Sequence, residues 1–143
     1  MSLLTKILVP LDGSKLAEEA LTAVEETLPK EHLIVIVTTV DPAVTRTFED
    51  FAHAEQISVY EAIERYQSDV VAALGTRGVK ARAVFMVDPD AADGVLRAAR
   101  EEQPTLIVMS SHGRSGLRKL MLGSVAERIL KEVECPILIV PMR

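Results

Sequence analysis

The stretch "MSSHGRSGLRKLMLGSVAERIL", residues 109–130, gathers the groups best suited to hold an anion. It contains the glycines Gly113, Gly116 and Gly123 and the cations Arg114, Arg118 and Lys119, with no acid before Glu127. Ser124, with Glu127 three residues on, has the spacing of a capping box and predicts a helix capped at Ser124 over 125–133. The free N–H groups and the dipole of a helix start favour negative charge. Gly113 and Gly116 give the preceding loop freedom to fold its amides into a nest, and Gly123 lets another backbone group come close. Together these residues make a phosphate cradle, or else a basic surface loop whose cations are merely solvated. The loop is no Walker A motif, because the Gly-Lys-Ser/Thr ending is missing and Lys119 lies four residues before Gly123. The dinucleotide G-x-G-x-x-G pattern is missing too.

A second candidate is "VPLDGS", residues 9–14. Pro10 and Asp12 end an apolar run, and Gly13 permits a tight turn. Asp12 reads equally as a turn residue at a helix start and as a carboxylate for the hydroxyls of a ribose or the edge of a base. Asp12 and Asp41 could hold Mg2+, and His112 could act as acid or base, although a hydrogen-bonding role in the loop suits His112 better. There is no obligate pairing of nucleophile and base. His32 and His53 fall in an expected turn and loop and read as surface residues. Cys135, the single cysteine, precedes Pro136 at an apolar run and lies near Glu132 and Glu134. It reads as a small hydrophobe, since a reactive thiolate wants cationic neighbours.

The elements that must position these residues follow from periodicity. Five short apolar runs read as strands: 6–11, 33–40, 80–87, 105–111 and 136–142. The second, fourth and fifth are nearly continuous Ile, Val and Leu, as in strands covered on both faces. Helical spacing fills the gaps at 14–28, capped by Ser14, at about 55–75, and at 91–102, capped by Asp90. Residues 41–54 read as the one long irregular piece. Regular alternation of strand and helix predicts an α/β fold, a parallel sheet with helices on both faces. In such sheets ligands sit beyond the carboxyl ends of the strands, where the strand order reverses. The loops after the first and fourth strands are therefore the first places to look, with the loop after the second as a further candidate.

Totals narrow the classes. A chain of 143 residues fits one domain, 1–143, and a domain of that size buries about 68–70% of its unfolded surface. With 48% hydrophobic and 3% aromatic residues, the core must be aliphatic. A net charge of −5 and the scarcity of aromatic residues argue against a nucleic-acid surface. No apolar run reaches the roughly eighteen residues of a membrane span, and the N-terminal "MSLLTKILVPLDGS" lacks a signal peptide's cleavage region. One cysteine excludes an internal disulfide and fits a cytoplasmic location.

The combination of "ILVPLDGS", "TTVDP" and "DPDAADGVLRAAREEQPTLIVMSSHGRSGLRKLMLGSVAERILKEVECPILIVP" resembles the universal stress protein family. The likeness runs along nearly the whole chain, with residues 41–75 the loosest part. It implies a Rossmann-like, adenine nucleotide alpha hydrolase-like sheet of five parallel strands in the order 3-2-1-4-5. It also implies an ATP-binding regulatory protein of the stress response, with AMP or ADP as alternative ligands. Weak ATP hydrolysis and a nucleotide-free interaction module are the competing functions. Nucleotide-binding members carry G-x-x-G-x9-G-[ST]. Here Gly113, nine residues, Gly123 and Ser124 fit, while the first glycine position is Ser110. If that position requires positive φ, serine is disfavoured. If it only ends the strand beside the ligand, a serine fits. By position, Pro10 and Asp12 face the adenosine, and Val40 offers backbone groups to the adenine. Met109 and Ser110 line the floor. Gly113 and Arg114 start the phosphate loop, and Gly123, Ser124 and Val125 close it. The family's usual homodimer pairs the last strands of two chains, which suits "CPILIVPMR", an apolar edge strand that is a liability unless paired.

Overall fold

The computed structural model describes residues 6–111 and 122–141. Strand β1 (Lys6–Pro10) leads to helix α1 (Lys15–Thr27), β2 (Leu33–Val40), α2 (Pro42–Glu55) and α3 (Val59–Thr76). Then follow β3 (Lys80–Val87), α4 (Ala91–Glu102), β4 (Leu106–Ser110), α5 (Ser124–Glu132) and β5 (Ile137–Val140). The strands form one sheet in the order β3-β2-β1-β4-β5, with every pairing parallel. The chain lays down β1, β2 and β3 toward one edge, then returns to place β4 on the other side of β1. The order therefore reverses between β1 and β4.

Alternation along the strands divides the core in two. Ile7, Val9, Ile34, Ile36 and Val108 face α1 and the end of α3 through Ala20, Leu21, Val24 and Leu74. Leu8, Val35, Val37, Ile107 and Met109 face α4 and α5 through Val95, Leu96, Ala98, Ala126 and Ile129. Each fully buried aliphatic side chain contributes about 1.5–3 kcal/mol relative to exposure. The core is aliphatic because the central strands are covered on both faces: seven of the eight β2 residues are buried. The fifth strand departs from that reading. Leu138 of β5 is 39% exposed, because β5 is an edge strand and only partly covered.

Four further expectations are corrected. Residues 41–54 are not irregular but form α2, whose N-cap Asp41 accepts a hydrogen bond from the Val44 amide at 2.7 Å, with Pro42 in its first turn. The following helix starts at Val59 rather than near 55, because Gln56 adopts φ 57° and Ser58 caps a new helix. The N-cap of α5 is Gly123, not Ser124, and among the described residues no side chain caps that helix. His32 is 3% exposed rather than on the surface, packed among Val24, Leu28, Ile34 and Val79, with neither ring nitrogen hydrogen-bonded among the described residues. His53 is exposed as expected, but in the last turn of α2.

Candidate functional site

A cavity of about 260 Å³ opens where the strand order reverses. Its floor is Pro10 and Leu11 at the end of β1, Val37 and Thr39 of β2, and Met109, Ser110 and Ser111 at the end of β4. Asp12 and Ala17 bound it on one side; Asp41, Ala43 and Val44, at the start of α2, bound it on another. Ala91 and Val95 of α4 and Gly123, Ser124, Val125 and Ala126 at the start of α5 complete the wall. An apolar hollow with a few convergent polar groups is how a small-molecule site is built.

The structure brings together most of the residues singled out from the sequence: Pro10, Asp12, Met109, Ser110, Gly123, Ser124 and Val125 all line the cavity. Val40 does not. Its side chain packs with Val44 and Phe48, and its carbonyl accepts the Asp88 amide, while its neighbours Thr39 and Asp41 reach the cavity. Gly113, Arg114 and His112 lie outside the described residues.

Asp12 holds a fixed orientation. Its Oδ1 accepts the Ser14 amide at 2.9 Å, and Ser14 in turn caps α1 by accepting the Ala17 amide at 3.1 Å. The turn role and a place on the cavity wall thus coincide in one carboxylate. Gly13 makes the turn with φ +88°, and a Cβ there would lie 3.0 Å from the Phe48 ring. Phe48 packs against Tyr66 with the rings tilted by 58° and their centroids 5.5 Å apart, and the Tyr66 hydroxyl donates to Glu18 Oε2 at 2.7 Å. Burial, and then the Glu18 carboxylate, push the Tyr66 hydroxyl well above its ordinary pKa, so it stays protonated and keeps donating. Helices α2 and α3 therefore brace the Asp12 turn from outside. This brace is not legible in the sequence, where residues 41–54 read as irregular and form α2 in the structure.

The opposite wall is organised by α5. Helices α1, α2, α3 and α4 each begin with a side-chain cap, from Ser14, Asp41, Ser58 and Asp90; α5 has none among the described residues. Its start is anchored instead by the backbone: the Gly123 amide donates to the Ser111 carbonyl at 2.8 Å, and the Ser111 amide donates to the Val140 carbonyl at 2.9 Å. The first amides of α5 thus begin at the cavity with no side-chain cap among the described residues, in the arrangement that attracts an anion. Arg128 of α5 ties this helix to α4 through Asp90 at 2.9 Å and through Asp93. Glu132 and Asp93 raise the Arg128 pKa further above its ordinary value.

Ser110 is the last residue of β4, and its backbone is not among those with positive φ. A serine there is unstrained. Thr39 sits close under α4, since a Cβ on Gly94 would collide with its side chain. Thr39 lines the cavity, and neither it nor Gly94 stands out in the sequence. Cys135 is half-buried, and burial raises its pKa, consistent with a packing role. Among the described residues no helix is long and apolar enough to cross a membrane.

Comparison with known proteins agrees with this geometry. The model of the universal stress protein family matches residues 4–141. The chain is 30% identical to the universal stress protein MJ0531 of Methanocaldococcus jannaschii, over 97% of this chain and 83% of that protein. It is 29% identical to the universal stress protein YxiE of Bacillus subtilis, over 94% of this chain and 97% of that one. Among solved structures, MJ0577 superposes with a TM-score of 0.79 at 26% identity, covering 99% of each chain. A universal stress protein family member from Burkholderia pseudomallei superposes with a TM-score of 0.70 at 32% identity, again over 99% of each chain. An Arabidopsis thaliana family member described with AMP bound shares the fold, with a TM-score of 0.70 at 18% identity over 95% of this chain and 90% of that one. Sheet order, cavity position and the extent of these matches lead to one conclusion: the chain belongs to the universal stress protein family.

Proposed function

We propose that the cavity binds an adenine nucleotide, ATP in the first instance, and that occupancy regulates how the protein meets its partners. The observation that carries the reading is the pairing, across one cavity at the β1/β4 reversal, of the Asp12 carboxylate with the uncapped start of α5. A ribose needs an acceptor for its hydroxyls, and a phosphate needs convergent N–H donors. The floor between them, with Leu11, Val37 and Met109, suits the flat apolar body of a purine. The AMP complex of the Arabidopsis neighbour indicates that this fold can hold an adenine nucleotide.

In this reading Asp12 accepts from the ribose. Pro10, Met109 and Ser110 support the adenosine, and backbone groups around Val40 meet the adenine edge. Gly113, Arg114, Gly123, Ser124 and Val125 surround the phosphates. Ser124 is released from capping by Gly123, so its hydroxyl can donate to a phosphate oxygen. Mg2+ would arrive with the triphosphate. Asp12 and Asp41 are the carboxylates lining the cavity among the described residues, and each commits its Oδ1 to a backbone amide. The ion would therefore be held largely by phosphate oxygens and water. A homodimer through β5, in a cytoplasmic protein, completes the proposal. Calorimetric titration with ATP, with and without Mg2+, tests it: saturation near one nucleotide per chain is expected, and no binding heat together with a nucleotide-free acid extract would refute it.

A further inference from the structure

We infer that β3, the edge of the sheet remote from β5, is a second self-association surface, on which another copy of this chain adds β3 antiparallel to its own. This goes beyond nucleotide binding and does not depend on it. The strand has eight residues, twice the length of β5, and among the described residues its only strand partner is β2. The Asp88 amide donates to the Val40 carbonyl, so the backbone of Asp88 faces β2. Because N–H and C=O groups alternate in direction along a strand, those of Ala81, Ala83, Phe85 and Val87 point outward from the sheet. One of them, the Val87 carbonyl, accepts from Arg97 Nη2 at 3.1 Å and retains a second lone pair.

The side chains fit a two-fold pairing centred on Val84. In that register Phe85 lies opposite Ala83 of the other copy, and Val87 opposite Ala81, large against small. Lys80 lies opposite Asp88, whose carboxylate also pairs with Arg97 of its own chain at 3.7 Å and accepts the Asp90 amide. Phe85 and Val87 are 37% and 53% exposed, and Tyr60 of α3, at 45%, extends the apolar surface with its ring centroid 5.8 Å from that of Phe85. Edge strands that stay single usually carry charge along their length. Here the charges Lys80 and Arg82 stand at the start, and Ala83–Val87 carries none. A second copy is the occupant that matches this order of size, because Phe85 and Val87 meet Ala83 and Ala81 of the reversed strand and the uncharged run Ala83–Val87 lies at its centre.

The register gives a direct test. In a Cys135→Ser background, Val84→Cys places two sulfurs across a non-hydrogen-bonded pair with Cα atoms about 4.5 Å apart, within disulfide range. Phe85→Cys places them two residues out of register, beyond about 7 Å, where no bridge closes. Mild oxidation followed by a denaturing gel should give a covalent dimer at least about tenfold faster with Val84→Cys than with Phe85→Cys. Adding Val87→Lys to Val84→Cys should slow the bridge by a similar factor. A bridge that forms equally in both single-cysteine variants, or in neither, would overturn the inference. A β5 dimer does not affect this readout.

Discussion

Asp12 shows how one residue can hold a turn and line a cavity at once. Its Oδ1 closes the turn onto Ser14, and that bond holds the carboxylate on the cavity wall. Asp12→Ala should weaken ATP binding about tenfold or more, since a hydrogen bond to a charged group is worth about 1.5–3 kcal/mol; titration calorimetry measures it. Ser110→Gly should change affinity less than about threefold, because the serine sits unstrained at the end of β4 and about 0.7 kcal/mol covers any lost contact. Gly94→Ala should destabilise the protein by about 1–3 kcal/mol in denaturant unfolding, because the added methyl overlaps Thr39. At this scale the sequence was informative where a residue's role is local. Asp12, Asp90 and Ser14 could be read from neighbours within three positions. His32 could not: it follows the polar Lys30 and Glu31 as in a surface turn, while its cover includes Val79, 47 positions away in the chain. Ser124 was misplaced by one position because glycine can itself serve as N-cap, leaving the Ser-x-x-Glu spacing shifted by a residue.

At the scale of elements, β2, β3 and α4 run over the residues their patterns predict, since continuous apolar runs and an Asp cap leave little choice. Helix α2 was the exception. Its start signal, Asp41 followed by Pro42, is present, and Val44, Phe48 and Ala52 recur every four residues, but the polar residues between them dilute the stripe. The helix matters because Asp41, Ala43 and Val44 line the cavity while Phe48 packs on the Gly13 turn. Asp41→Ala removes the side-chain cap and should lower stability by about 0.5–2 kcal/mol. It should also weaken nucleotide binding, because the start of α2 is a cavity wall. Thermal melts with and without ATP check both effects.

For the whole molecule, ion pairs link elements far apart in sequence. Arg77, just beyond α3, pairs with Glu25 of α1 at 2.7 Å, and Arg82 of β3 pairs with Glu102 of α4. Those arginines hold both carboxyls below their ordinary pKa. Such groups add stability above the unfolded carboxylate value, near 4.5, and that stability is lost as pH falls through the lower folded value. Glu102→Gln should therefore destabilise the protein at pH 7, and its difference from wild type should shrink as the solution is acidified below about pH 4.5. Urea melts across that range read the effect. The order of the strands was legible only through family resemblance, since alternation predicts a parallel sheet but not which strand lies beside which. That order creates the reversal between β1 and β4, and with it the cavity. Titrating the wild-type protein with ATP in the presence of Mg2+, alongside Asp12→Ala, tests the central claim most directly. Saturable binding near one nucleotide per chain, weakened about tenfold or more in the variant, is the predicted result; no binding by folded wild-type protein, or equal binding by both, would contradict it.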